Sequence, residues 1–334
     1  MIGILLVLLT TSISLSSVIA AQDSKKICFA FVDLETEFWV AGHKAIVETL
    51  TAQGIEVIEV NGNQDANKQL EQVKDCIVQG VDGIILIPQD GEEAVAVVKE
   101  AQEADIPIAV FNRPPTDTSK GIVVVADNAN IAAQAVEYMA QKAISRFEIT
   151  GQKINPLIMV GDLGDPNAVG RKEGFYSVIN RYPDIFNTPI EVATEWDAKT
   201  GLANLESAIA ANPSVDFLFT SSDFLFPVIR SVLEPKGMWV KAGQKGHVIM
   251  GGLDGDATAC QLIQDGYVDT TGVQDLYNEA TLTLDAITGA IANGETQPNQ
   301  VLPDPGFALT SASIIFEPTR MWGCKLLAEG FLKK

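Results

Sequence analysis

Short runs of unbroken apolar residues alternate along this chain with longer segments whose apolar positions recur at helical spacing. Lys26–Val32 (KICFAFV) and Gly83–Ile87 (GIILI) are continuous runs, while Trp39–Gln53 between them is amphipathic. A strand that is apolar at every residue is buried on both faces, and amphipathic helices are what cover it. The pattern predicts strands at Lys26–Val32, Glu56–Val60, Gly83–Ile87, Ile108–Phe111 and Ile122–Ala126, with helices at Trp39–Gln53, Ala66–Gln79 and Glu92–Ala104. It then restarts with helix Ala129–Ser145, strand Pro156–Val160, helix Ala168–Asn180, strand Ile190–Thr194 and helix Thr200–Ala211. Strand Phe217–Thr220, helix Phe224–Leu233, strand His247–Gly251, helix Asp256–Asp265, strand Val268–Val273 and the long helix Leu276–Ala292 follow, and the tail reads as irregular. Two βα series in succession predict an α/β protein of two doubly wound, parallel-sheet lobes. No Pro/Gly/Ser-rich tether separates them, so the chain is expected to cross between lobes through its strands.

The N-terminus has a different character. Ile2 to Ala20 are uncharged and apolar or small, with a core of Ile4-Leu5-Leu6-Val7-Leu8-Leu9 and a Val18-Ile19-Ala20-Ala21 end. This reads as a secretory signal peptide, residues 1–20, cleaved after Ala20 or Ala21. Its n-region has only the terminal amine, and an uncleaved anchor is the alternative, at the lower limit of a membrane span. No Cys ends the run, so a lipoprotein anchor is not expected.

Charge and composition narrow the functions. The chain has 334 residues, 47% of them hydrophobic and 20% charged, with a formal charge of −20. Such acidity opposes nucleic-acid backbones and anionic membranes. Two His (His43, His247) and four scattered Cys offer no zinc set, and no cofactor is expected. Cys28 and Cys76 read as buried and free, whereas Cys260 and Cys324 are candidates to pair. No G-x-S-x-G, Walker, H-E-x-x-H or G-x-G-x-x-G motif is present, so the chain does not read as an enzyme. Glu35 and Glu37, two apart in a loop, make a poor hydrolytic dyad.

In doubly wound folds ligands sit beyond the carboxyl ends of the strands. Those positions hold Phe38-Trp39, Asn112-Arg113, Asp127-Asn128, Asp162 to Asn167, Trp196-Asp197, Ser222-Asp223, Asp254 and Gln274-Asp275. Aromatic rings cover the C–H face of a sugar, and planar polar groups pair with its hydroxyls. Plainer readings exist for each: Phe38, Trp39 and Trp196 could be core aromatics, Asp254 a turn residue, and Asp165 and Asp256 helix caps. Trp239, Trp322 and His43 read as packing or surface residues, and Asp127 as a hinge.

These fragments, in this order, resemble a type I periplasmic solute-binding protein of the ribose/galactose-binding group that serves ABC transporters. The resemblance rests also on Gly80 to Pro88, Ile106-Pro107, Val125 to Asn128, Arg171 to Phe175, Asn212-Pro213 and Gly252 to Gly255, and runs from Lys26 to about Ala308. It implies an exported, periplasmic monomer whose partners are a small sugar and a permease. A sensory protein of the same fold is the alternative; a repressor would need a DNA-binding unit before Lys26. It implies a first lobe of residues 26–126 plus 276–306 and a second of 128–274 plus 307–334, with three crossovers, the third at about Phe307. It assigns Phe38 and Trp39 to one face of the ligand ring and Trp196 to the other. Asn112 and Arg113 would serve hydroxyls from the first lobe, and Ser222, Asp254 and Gln274 from the second lobe and hinge. Against the ribose pattern, Asn112 stands for Asp, Val169 for Arg and Ser222 for Asn. Two residues of helix are about 200°, so Arg171 is expected to point away from the place Val169 leaves, with Asn167 the better contact. The pocket is thus expected to lose one cation and one anion, and to take a sugar or polyol other than ribose. The segment after Phe316 has no counterpart in the pattern and receives no role.

Overall fold

The structure, a computed structural model, describes residues 24–330; the signal segment read at residues 1–20 lies outside them. The first lobe begins with β1 (Lys26–Phe31), α1 (Glu37–Ala52), β2 (Glu56–Asn61), α2 (Ala66–Val78), β3 (Gly83–Leu86), α3 (Gly91–Glu103), β4 (Ile108–Phe111) and β5 (Gly121–Ala126). The chain then continues through α4 (Asn128–Thr150), β6 (Pro156–Val160), α5 (Pro166–Ile179), β7 (Ile190–Ala193), α6 (Ala198–Ala211), β8 (Phe217–Thr220), α7 (Phe226–Leu233), β9 (Ile249–Asp254), α8 (Ala257–Asp265) and β10 (Thr270–Val273). It ends with α9 (Leu276–Asn293), β11 (Asn299–Asp304), β12 (Phe307–Thr310) and α10 (Trp322–Ala328).

The strands form two six-stranded sheets, ordered β2-β1-β3-β4-β5-β11 and β7-β6-β8-β9-β10-β12. The two-doubly-wound-lobe architecture expected from the alternation is the one found. Continuous apolar runs become central strands: Ile27, Cys28, Phe29 and Ala30 of β1 are all inaccessible to solvent. Each large side chain so buried contributes about 1.5–3 kcal/mol.

All strand pairs are parallel except β10 with β12. The exception follows from the path. Parallel strands of both sheets end at the interlobe cleft, so a segment entering the second lobe from the first starts at the cleft and must run away from it. After β5 that segment is α4, and after β11 it is β12. In the reverse direction β10 leads into α9, which packs on α1, β4 and β5. Asp304 stitches the crossings: its backbone carbonyl accepts from Asp127 N–H at 2.9 Å, and its carboxylate accepts from Asp275 N–H at 2.9 Å.

Two expectations need correction. The tail is not irregular: β11, β12 and α10 lie in it. β11 (NQVLPD) is an exposed edge strand containing a proline, so it lacks the apolar run that marks the central strands. Cys28 and Cys76 are buried but not free; they form a disulfide, their Cα atoms 6.1 Å apart. Read singly, each was a core position. The β2–α2–β3 crossover carries α2 back over β1, which brings them together. Cys260 and Cys324 also pair, joining α8 to α10.

Aspartate is the commonest helix starter. Asp65, Asp90, Asp127, Asp165, Asp197, Asp256 and Asp275 each accept a backbone N–H at the N-terminus of α2, α3, α4, α5, α6, α8 and α9. A carboxylate there satisfies an orphan donor and the helix dipole. Many of the strand-end acids are therefore caps. No helix of the described residues is long and apolar enough to cross a membrane.

Candidate functional site

A cavity of about 510 Å³ lies between the lobes at the strand ends. Phe38, Trp39, Asn112, Arg113, Asn167, Trp196, Ser222, Asp254 and Gln274, the residues chosen from the sequence, all line it. Thr36 caps α1 and fixes Phe38 and Trp39 in its first turn, where the two rings meet edge-on with centroids 5.0 Å apart. Trp196 reaches the cavity through a left-handed backbone at φ 54°. Its ring lies against the end of β6, where a Cβ on Gly161 would stand 2.3 Å from it. Only glycine leaves that space.

Each lobe sets an arginine on a tryptophan. The Arg113 guanidinium lies 5.7 Å from the Trp39 ring centre, and that of Arg171 lies 5.5 Å from Trp196. Arg113 is buried; its Nη1 donates to the carbonyls of Pro88 and Gln89, and its Nε ion-pairs with Asp165 of the other lobe at 2.8 Å. Asp165 also accepts from Trp196 Nε1 at 3.1 Å while capping α5. It is the cap expected, and a link between the lobes as well.

Arg171 corrects the reading that turned it away. It is 4% exposed, lines the cavity and pairs with Asp254 at 3.0 Å, while donating to Asn128 and to Ser221 O. The 200° argument compared it with Val169, which is 37% exposed and outside this cavity. The relevant neighbour is Asn167, four residues before it and on the same helix face. The cation judged lost is therefore present.

Amides weave the floor. Asn112, at φ 67°, donates through Nδ2 to Gln274 Oε1 at 3.2 Å and to Glu279 Oε2 at 2.8 Å. Asn167 donates to Asn112 O at 3.2 Å, and Asn128 donates to Asn167 Oδ1 at 2.9 Å. Gln274 Nε2 closes the web on Asn128 at 2.9 Å. First-lobe, second-lobe and crossover residues thus share one network.

Carboxylates below it are buried. Asp254 accepts from Ser222 Oγ, and burial raises its pKa despite Arg171. Asp223 is pushed up to about 8 by burial and by the charge of Asp254. Glu279 is likewise pushed up to about 8 by burial. The sequence reading missed Glu279, an acid on the buried face of α9 beside Leu276, Ala280 and Thr283. An acid at a core position of an amphipathic helix was the available signal. No group of His, Cys, Asp and Glu among the described residues could hold a metal ion.

The arrangement offers ring faces and hydrogen-bonding groups to a small molecule. Its two guanidiniums are each matched by a buried carboxylate, and flat apolar rings flank the remaining hydrogen-bonding groups. Comparison with known proteins agrees. A family model described as "Periplasmic binding protein domain" matches residues 27–296. The chain is 26% identical over 288 residues to the xylitol-binding protein of Mycolicibacterium smegmatis, covering 85% of this chain and 78% of that one. It is 26% identical over 300 residues to the D-xylose-binding periplasmic protein of Escherichia coli, covering 87% and 85%. An ABC transporter solute-binding protein of Actinobacillus succinogenes with bound D-allose shares the fold, at TM-score 0.76 and 21% identity, over 86% of this chain and 98% of that one. One from Bacillus halodurans with bound myo-inositol gives TM-score 0.75 at 23% identity, over 87% and 96%. The match spans most of the described fold and both lobes, and on that ground the chain belongs to the periplasmic binding protein family, a family of binding proteins and not of enzymes.

Proposed function

We propose that this chain binds a monosaccharide or related polyol between its lobes and delivers it to an ABC transporter permease. The observation that carries the reading is the pairing of charge at the base of the cavity. Arg113 with Asp165, and Arg171 with Asp254, leave a base with no net charge, each arginine lying on an indole face. A neutral, hydroxyl-rich ring fits such a base; an anion would have to compete with Asp165 or Asp254 for its cation. The names of the relatives, which specify xylitol and D-xylose, support the same class. In this reading Phe38, Trp39 and Trp196 cover ring faces, and Asn112, Arg113, Asn167, Ser222, Asp254 and Gln274 serve hydroxyls. The lobes move as units about the three crossings, and the ligand favours the closed form by touching both. Residues 1–20 act as a cleaved signal, and the mature protein works as a monomer in the periplasm.

Micromolar affinity corresponds to about −8 kcal/mol, within reach of an aromatic enclosure and several paired bonds. The test is a thermal-shift screen of the protein starting at Ala21 against pentoses, hexoses, polyols, nucleosides and sugar acids. A solute at a hundred times its Kd adds about 2.7 kcal/mol of stability. A shift confined to neutral sugars or polyols, abolished in Arg113→Ala and Asp254→Ala, is the expected result. A shift with sugar acids or nucleosides alone would overturn the assignment of class.

A further inference from the structure

The segment after Phe316 lies beyond the family match, which ends at residue 296, and yet its helix packs beneath the ligand cavity. Trp322 Nε1 donates to the backbone carbonyl of Asp254 at 2.9 Å, and Gly323 N–H donates to Gly255 O at 3.0 Å. Gly323 lies so close to the turn that a Cβ would stand 2.1 Å from the Asp256 carbonyl carbon. Met321 and Trp322 are almost wholly buried. The Cys260–Cys324 disulfide ties this contact to α8.

What the segment holds is unusual. Asp254 has φ 136°, a region that L-residues other than glycine rarely occupy. Such a backbone persists only where its surroundings enforce it. Here it aims the carboxylate at Arg171 and Ser222 in the cavity wall. The Trp322 ring also meets Phe38 of the first lobe edge-on, centroids 5.8 Å apart. Next to Phe38, Glu37 accepts from Ala257 N–H at 2.8 Å and from Thr258 Oγ1 at 2.7 Å at the start of α8. Trp322 thus touches one cavity residue from each lobe.

We propose that Met321–Cys324 is a positioning element of the ligand site, in which Trp322 sets Asp254 through its backbone and seats Phe38 when the lobes close. The proposal rests on the reading of the cavity as a sugar or polyol site. Trp322 is outside the cavity lining, so it acts through Asp254 and Phe38 and is a positioning residue.

Calorimetry with D-xylose, xylitol, D-allose and myo-inositol tests it, using for the variants the probe that the wild-type chain binds best. Trp322→Phe keeps a ring for Phe38 and removes the N–H. Affinity is expected to fall roughly fivefold to tenfold, the size of one hydrogen bond, with thermal stability nearly kept. Trp322→Ala removes both contacts and is expected to cost on the order of a hundredfold. The indole N–H resonance of Trp322, identified by its loss in Trp322→Phe, provides a signature independent of overall stability. In the paired variant Cys260→Ser, Cys324→Ser it is expected to move toward its solvent-exposed position as affinity falls. Unchanged affinity in Trp322→Phe, or in the paired variant, would overturn the positioning role and leave the cavity's function standing. Wild-type protein that binds none of the four probes would remove the functional reading, and this inference with it.

Discussion

Glu279 makes stability depend on pH in a direction opposite to that of most carboxylates. It is inaccessible to solvent; Asn112 donates to one of its oxygens, and the other has no partner. Burial pushes its pKa from 4.5 up to about 8, with Asp304 adding a smaller push the same way. The folded protein therefore holds a proton that the unfolded chain releases. The contribution is fully present below the unfolded value, and stability falls as pH rises from about 4.5 toward 8. At about 1.4 kcal/mol per unit, the whole window is worth on the order of 5 kcal/mol, an upper bound for a site that can relax. Glu279→Gln removes the titration and keeps an acceptor for Asn112. Denaturant unfolding of both proteins at several pH values between 5 and 9 reads the difference. The variant is expected to gain stability relative to wild type by several kcal/mol across that range. Asp223 and Asp256 are raised by burial too, but they are common to both proteins and cancel in the difference. Two curves that run parallel from pH 5 to 9 would refute the reasoning.

Other perturbations have equally definite outcomes. Arg171→Met strands the buried Asp254 carboxylate, so unfolding measurements should show a loss of about 3–5 kcal/mol, and ligand binding should vanish. Adding Asp254→Asn should restore much of the stability but not the binding. Gly161→Ala places a methyl group where the Trp196 ring lies; calorimetry should show weaker binding, with a much smaller change in Tm. Replacing Cys28 and Cys76 by Ser opens a loop spanning 48 residues and should lower stability by about 4 kcal/mol in the chain-entropy view, with affinity retained.

The parts of this molecule that could be read from its sequence are those where local pattern and tertiary role coincide. Continuous apolar runs are central strands because only a doubly covered sheet tolerates them, and the rule about strand ends then picks out Asn112, Arg113, Asp254 and Gln274. The rest depends on relations between elements. Arg171 was misjudged because a helical angle was measured from Val169, a position that faces away from the cavity, when Asn167 on the same face was the proper reference. Asp165 looks like a cap and is one, but its second oxygen serves Arg113 across the cleft, which no local pattern records. Cys28 and Cys76 each fit a core position, and only the crossover of α2 over β1 makes them partners. β11 carries a proline and exposed side chains because it lies at an edge, so it lacks any strand signal of its own. Trp322, read as a packing or surface residue, is buried and packs against Asp254 and Phe38, both of which line the cavity.

The pairing of β5 with β11 has a consequence for how the chain acquires its form. Gly121 is a neighbour of Asn299, and Ala126 of Asp304, so the first lobe's last strand is made after almost the whole second lobe. A chain emerging from the N-terminus cannot finish its first lobe and then begin the second. Its first sheet must wait with one side unpaired while more than a hundred further residues are supplied. Such long-range closure slows folding. The order of synthesis is therefore not the order of completion: the lobe that starts first is finished almost last, and both reach their final strands within a few residues of each other.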